Sequence, residues 1–588
     1  MAAPHGRSLA DFLPLKPAEE LLLKNSASGT ETRIARQLPT QVTRENTVRG
    51  SFLRFLILGG DDLVKIHERG VLLAGAYIEG KLDLGSASHI VGVKLQYCLF
   101  PETILLTNTQ THSFIDLSDS SLQGLSARHL CVNGTLCLNR CISSEMINLQ
   151  DSKISGSLLF IGSQLSSSNG DPALTADRAA IEGGVRLQTG FKAVGEVRFC
   201  AAKLNQLTCS NSEFTTSSRH ALNLTDASIS GGLRLSPDFR AVGTVRLTNT
   251  RIRGNVDLKG AHIDGKGGST LYANSMQVTH HLQLTDLKAP LEAAVLTDAR
   301  VQTLVDAADS WGENLRLSGF IYENLETIGS LKAQDRIRWF DQQHPQDVGR
   351  DGKKGAASRF KKQPWQHAQK IFDEMGRTKD ARQIGMELER RLYRAGLESE
   401  TSIVPRFAVI HHLHGALLGF GYEPMRLIWL FLLTWFSFAV FYWYAAVAQA
   451  VFAPSDPLVF QHDDYLTCQS EHQAIWAKRF PSKPEPQPEK PEGAGNWYTC
   501  EALRSEYTGF SPLGYSLDIL MPLVDLQQEK SWGPMTPTPK KNPLQEISNF
   551  TWGHVTRLVI WIETFVGWFI SLVLVGMASG LVRKRNNE

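Results

Sequence analysis

The chain has 588 residues, more than one ordinary core organises, so two or three structural units are expected. Its 61 basic and 59 acidic residues leave a formal net charge of only +2. That balance removes any global electrostatic case for nucleic acid or for an acidic substrate.

Residues 1–45 form an N-terminal segment in which Glu19 and Glu20 stand directly before Leu21, Leu22 and Leu23. It lacks the basic start and long apolar run of a secretory signal, so the region that follows is expected to stay in the cytoplasm. Residues 46–69 are assigned as a helical cap, because residues 48–56 have the apolar spacing of a short amphipathic helix.

A phrase then recurs through residues 70–324: a large residue, a small one three places on and an apolar one two further. It is seen at Leu73-Ala76-Ile78, Leu95-Cys98-Phe100, Leu117-Ser120-Leu122, Leu224-Ala227-Ile229 and Leu247-Thr250-Ile252 among others. Inward residues spaced by five and then six do not build an amphipathic helix; they suit short strands separated by tight corners. The prediction is a mainly β fold, a right-handed β-helix of about eleven coils of roughly 22 residues, stacked at the ~4.8 Å strand spacing. Such a rod exposes unpaired strand edges at both ends, so residues 325–345 are read as a second cap. Cys98 and Cys141 occupy the small slot and Cys209 the large one, which makes them core. Cys131, Cys137, Cys141 and Cys200 contain no C-x-x-C pair, so no metal site is assigned. Asp116, Asp119, Asp226 and Asp257 are the only loose candidates for chemistry on the rod, and outward solvated positions account for them.

Residues 346–362, rich in Gly, Lys and Ser, read as a linker. Residues 363–396 read as an α-helical hairpin, opened by Pro364, broken at Gly376 and closed by Arg390, Arg391 and Arg394, of a kind that binds neighbours. Residues 397–426 are a juxtamembrane segment. Its His411, His412 and His414 have no carboxylate or cysteine at ligand spacing, so an interfacial reading is preferred to a metal.

Two transmembrane α-helices are predicted at residues 427–452 and 558–582, the first without a charge and the second with only Glu563. Arginines before the first, and Arg583, Lys584 and Arg585 in the 583–588 tail, place both outer ends inside. Residues 453–557 then form one extracytoplasmic loop, where Cys468 and Cys500 are a candidate disulfide. In the second span Glu563, Gly567, Ser571 and Ala578 lie near one side, and Gly576 with Gly580 adds a small-xxx-small pair. This is the candidate oligomer or pore face, the alternatives for Glu563 being a polar lining or snorkelling to headgroups. The apolar segment 515–526 before that span is either a pore-loop-like element or a helix on the outer membrane face; no TVGYG-like filter is present.

The stretches Gly70-Val71-Leu72-Leu73-Ala74-Gly75-Ala76-Tyr77-Ile78-Glu79-Gly80-Lys81-Leu82-Asp83-Leu84, Gly190–Phe199, Gly419-Phe420-Gly421-Tyr422-Glu423-Pro424 and Tyr515-Ser516-Leu517-Asp518 through Val524-Asp525-Leu526 resemble a family of bacterial membrane proteins. Its members look like pentapeptide-repeat relatives with a two-span C-terminus and are often labelled membrane-associated oxidoreductases. The resemblance covers nearly all of the chain after about residue 45 and implies the bacterial inner membrane. The label carries no catalytic residue over, and no GxGxxG after a strand, Walker A, HExxH, GxSxG or C-x-x-C occurs, so no catalytic, cofactor or metal residue is assigned.

Three functions compete. The favoured one is a membrane effector: the rod senses a cytoplasmic ligand or protein partner and controls a homo-oligomeric, channel-like module in the lipid bilayer. The alternatives are a membrane-anchored scaffold and an envelope enzyme.

Overall fold

The computed structural model describes residues 8–168, 170–329, 331–345, 347, 360–397, 415, 425–470, 472–483, 495–503, 507–522, 524–538 and 550–578. The chain divides into two compact units, Met1–Thr401 and Ser402–Glu588.

The first unit is a parallel β-solenoid of about 12 turns. Two long parallel sheets of 18 and 17 short strands form its walls. Register stacks like on like from coil to coil, as in Leu73↔Leu95 and Leu136↔Leu158. The recurring phrase has a local cause. Leu224 accepts a hydrogen bond from the Ala227 N–H (3.0 Å), and Asp226 between them has φ 59°, which is a type II turn. Asp119, Asp151 and Asn249 occupy the same left-handed position at φ 62°, 57° and 54°, and Asp and Asn tolerate it better than most residues. Each such N–H then bonds onward, Asp151 to the Asp177 carbonyl (2.9 Å) and Asp226 to that of Thr248 (2.9 Å). A corner therefore turns the chain and ties it to the next coil with one residue.

Two buried hydroxyls in the small slot are satisfied by the coil before: Ser120 Oγ donates to the Leu95 carbonyl (2.9 Å) and Thr250 Oγ1 to that of Leu224 (2.8 Å), whereas Ser152 Oγ in the same slot has no partner among the described residues. Inside, Phe160, Phe191, Phe214 and Phe239 stack edge to face at 6.1, 5.5 and 5.2 Å, joining successive coils. Cys98, Cys141 and Cys209 lie in this core. Burial pushes the Cys98 and Cys141 thiols up to about 12, far from a reactive thiolate.

The N-terminal end is closed by more than the expected helix at Gly50–Ile57. Helix Pro17–Ser28 and strands Thr32–Arg33 and Thr47–Arg49 also belong to the cap, and the two strands pair with the first coil. Glu19 is fully buried and locks this cap: it accepts from the Arg49 Nε (2.8 Å), the Arg49 Nη2 (2.6 Å) and the backbone N–H of Arg49 (2.9 Å) and Lys16 (3.0 Å). Burial is the largest single influence and pushes its carboxyl up, but the bonds from Arg49 and Lys16 and the guanidinium charge together hold it below the usual value. A carboxyl depressed in the folded state adds stability above its unfolded value and loses it as pH falls through the folded one. Amide exchange of the cap should therefore quicken on acidification below the ordinary carboxylate range, and Glu19→Gln should make it fast at every pH; a cap indifferent to both changes would contradict this lock.

At the other end the last strand runs Ile321–Ile328, so residues 325–328 belong to the solenoid and not to the expected cap. Three helices close the end: Ala333–Asp341, Gln363–Glu374 and Thr378–Leu397. Trp365, Ile371, Phe372, Ala381, Ile384 and Leu388 join the solenoid's own core. The helices read as a neighbour-binding hairpin are thus spent on the rod itself. Gln363 covers the open edge, accepting from the Gly319 N–H (2.8 Å) and donating to the Phe320 carbonyl (3.2 Å). His367 Nε2 lies 3.0 Å from the Tyr322 N–H and 2.8 Å from its carbonyl, so either tautomer satisfies one edge group. Beneath them Asp306 and Arg336 form a buried bidentate pair (2.5 and 2.8 Å), with Trp311 Nε1 and Thr327 Oγ1 also donating to Asp306. Most of the 346–362 linker, and His411, His412 and His414 of the juxtamembrane segment, lie outside the described residues.

Candidate functional site

The second unit holds two helices long and apolar enough to cross a membrane, of 23 and 24 residues within Met425–Val447 and Trp552–Ala578. The first ends five residues earlier than expected. Asn496 Nδ2 donates to the Ala446 carbonyl (2.9 Å), and Phe452–Pro454 is instead a strand paired antiparallel with Trp532–Pro534. The second begins six residues earlier than expected, at Trp552.

Between these helices sits a third, Pro512–Leu520, capped by Ser511, whose Oγ accepts from the Gly514 N–H (3.2 Å). It overlaps the segment read as pore-loop-like or outer-face, and it packs against both long helices. Trp435 Nε1 of the first long helix donates to its Leu513 carbonyl (3.0 Å). Ser516 Oγ is 3.1 Å from the Trp435 carbonyl. On the other side Leu520 rests on Gly567, where an added Cβ would stand 2.2 Å from the Leu520 carbonyl. At ~1.5 Å per residue Gly567 is roughly 22 Å along its helix from Trp552, near mid-length. Asp518 holds the return loop, accepting from the N–H groups of Leu526 (2.6 Å) and Glu529 (2.9 Å).

Glu563 is where all three helices meet. Its side chain is 0% exposed. Tyr442 donates its hydroxyl to Oε2 (2.6 Å), and Ser516 Oγ lies 2.5 Å from Oε1. The rings of Tyr442 and Tyr515 close over it edge to face at 5.1 Å. Among the described residues no lysine or arginine pairs with it. A carboxyl in apolar surroundings without a cation is costly unless every oxygen is bonded, and here both are.

The expected oligomer or pore face needs correction at two positions. Glu563 neither snorkels nor faces outward, because its oxygens are taken by Tyr442 and Ser516. Gly567 serves close approach, but to Leu520 of the same chain. Ser571 is half-buried on the same helix. The side chains of Gly576 and Ala578, and all of Gly580, lie outside the described residues. What sequence reasoning missed is Tyr442, Ser516 and Trp435; a tyrosine deep in an apolar span is the available signal.

Above this site a small aromatic core of Phe452, Trp497, Phe510 and Trp532 forms around the Cys468–Cys500 disulfide (Cα–Cα 5.4 Å). An open apolar groove of about 260 Å³, lined by Phe436, Val440, Trp443, Tyr498 and Leu513, runs beside the short helix. On the solenoid the four aspartates are not gathered. Asp119 is paired with Arg140 (2.6 Å) and Asp226 bonded by Asn249 (2.6 Å), while Asp116 takes Gln96 (3.0 Å) and Asp257 takes Ser236 (2.6 Å), each within its own neighbouring coils.

No family model, curated protein or solved structure matches this chain.

Proposed function

We propose that the chain is a two-span protein of the bacterial inner membrane, a membrane effector in which a right-handed cytoplasmic solenoid senses a ligand or partner and controls a channel-like module. The Glu563 clasp carries this reading. A purely passive anchor has no use for a buried carboxyl gripped by hydroxyls from two other helices, since polar groups at that depth cost several kcal/mol unless fully bonded. The re-entrant helix Pro512–Leu520 is the element whose seat that clasp controls. The disulfide supports an oxidising side for the 453–557 loop, and the basic flanks support a cytoplasmic side for both ends. Two spans do not enclose a path alone, so several copies contribute, meeting through what remains of the small-residue face at Ser571, Gly576, Ala578 and Gly580.

The full chain in vesicles of phosphatidylethanolamine and phosphatidylglycerol, carrying a potassium diffusion potential read by a voltage-sensitive dye, tests it. Wild type without its trigger should hold the potential, and Glu563→Ala or Ser516→Ala, which loosen the clasp, should dissipate it. Variants as tight as empty vesicles would remove the effector reading and leave the anchored scaffold.

A further inference from the structure

Hydrogens can be counted at the clasp. Three oxygen–oxygen contacts run in series, two short and one longer: Tyr442 hydroxyl to Glu563 Oε2 (2.6 Å), Glu563 Oε1 to Ser516 Oγ (2.5 Å), and Ser516 Oγ to the Trp435 carbonyl (3.1 Å). Each needs one hydrogen to be a bond. The tyrosine supplies one and the serine one. A backbone carbonyl supplies none, so the third must sit on Glu563.

With that proton on Oε1, the acid donates to Ser516, Ser516 donates to Trp435, and every contact is satisfied. Without it, the serine hydrogen has to serve either the carboxylate or the Trp435 carbonyl. Among the described residues, the charged groups around the site do not supply a countercharge. The first long helix offers Tyr442. The short helix offers Tyr515 and Asp518, the latter committed to Leu526 and Glu529. The helical turn Gln528–Ser531 adds the acidic Glu529, and Arg557, six residues earlier on the helix of Glu563 itself, is not among the groups that bond or charge-pair with it.

We propose that Glu563 is a proton-binding site whose bound proton latches the re-entrant helix to the first long helix. When the proton leaves to water, its bonding electrons stay on the carboxylate. The carboxylate then draws the Ser516 hydrogen away from Trp435, and the short helix loses one of its two bonds to that partner. This deepens the membrane-effector reading by naming the proton as the ligand of the module, and it rests on that reading for the depth of the site.

The test is infrared difference spectroscopy of the full chain in the same vesicles, wild type against E563Q, with no ion flux involved. Expected is the carbonyl stretch of a protonated carboxylic acid at neutral pH, absent in E563Q and shifted by Tyr442→Phe, which deletes the bond to Oε2. Raising the pH should bleach the band, and amide exchange across residues 512–520, referenced to E563Q at the same pH, should rise with it. A missing band, a band that Tyr442→Phe leaves unmoved, or bleaching without faster exchange overturns the proposal. The band is independent of conduction, so failure of the proton site and failure of the effector reading are separately visible.

Discussion

Gly567→Ala should unseat the re-entrant helix. Two effects oppose each other at this position. Alanine is the better helix former, by ~1 kcal/mol in a helix interior. Against that, its Cβ would stand 2.2 Å from the Leu520 carbonyl, a backbone atom with no rotamer to turn away. Overpacking of this kind costs typically ~1–3 kcal/mol, and more where backbone must move. The contact therefore wins, and the short helix rather than the long one yields, because Pro512–Leu520 has nine residues to hold its place and Trp552–Ala578 has 27. Amide exchange across residues 512–520 should accelerate about tenfold or more, the factor that ~1.4 kcal/mol of net destabilisation gives. The Cys468–Cys500 core should keep its protection. Unchanged exchange in 512–520 would mean that Gly567 does not seat that helix.

That glycine also marks the boundary of what the sequence made legible. The solenoid could be read because its code is local: large residue, left-handed residue, small residue and apolar residue all fall within six positions, and a type II turn enforces them. Even there the left-handed residue two places after the large one is not part of the reading, although it is Asp or Asn at Asp119, Asp151, Asp226 and Asn249 and glycine at Gly75 and Gly260. The caps were half legible. A helix over 48–56 follows from apolar spacing, but the Glu19–Arg49 lock spans 30 positions and no periodicity connects its ends. The helices between Gln363 and Leu397 were visible as helices, while their role depended on a strand edge more than forty residues earlier. The polar site was the least legible. Glu563 and Gly567 were singled out as a small and polar side of one helix, which sequence can show. Their partners are Tyr442, 121 positions away, and Ser516 and Leu520 on the short helix between the two long ones, so the chain itself fills part of the face that the spacing alone leaves open to another copy.

Arg336→Met should release the C-terminal cap and expose the end of the rod. The pair it breaks is buried on both sides: side-chain exposure is 5% for Arg336 and 1% for Asp306. Burial alone would lower the Arg336 value, yet the Asp306 charge and bonds outweigh it and raise it, so the guanidinium stays charged in the core. Removing it leaves Asp306 with only the Trp311 indole and the Thr327 hydroxyl as donors, and a lone buried carboxylate costs ~3–5 kcal/mol. Replacing both partners, Asp306→Asn with Arg336→Met, leaves no unbalanced charge and should cost less than Arg336→Met alone, a non-additivity that a double-mutant cycle measures directly. The consequence reaches beyond stability. Arg336 stacks on Trp339 (4.8 Å), and Trp339 and Phe340 pack in turn with Trp311 and Trp365, which carries the helix bearing Gln363 and His367. When that stack loosens, the edge groups of Gly319, Phe320 and Tyr322 lose their covers, and an open parallel edge pairs with whatever strand it meets. Thermal unfolding of the single variant should begin well below that of wild type, and light scattering at temperatures where wild type is quiet should report end-to-end association. A single variant that melts with wild type and keeps its particle mass would show that the aromatic packing, and not the ion pair, holds the cap in place.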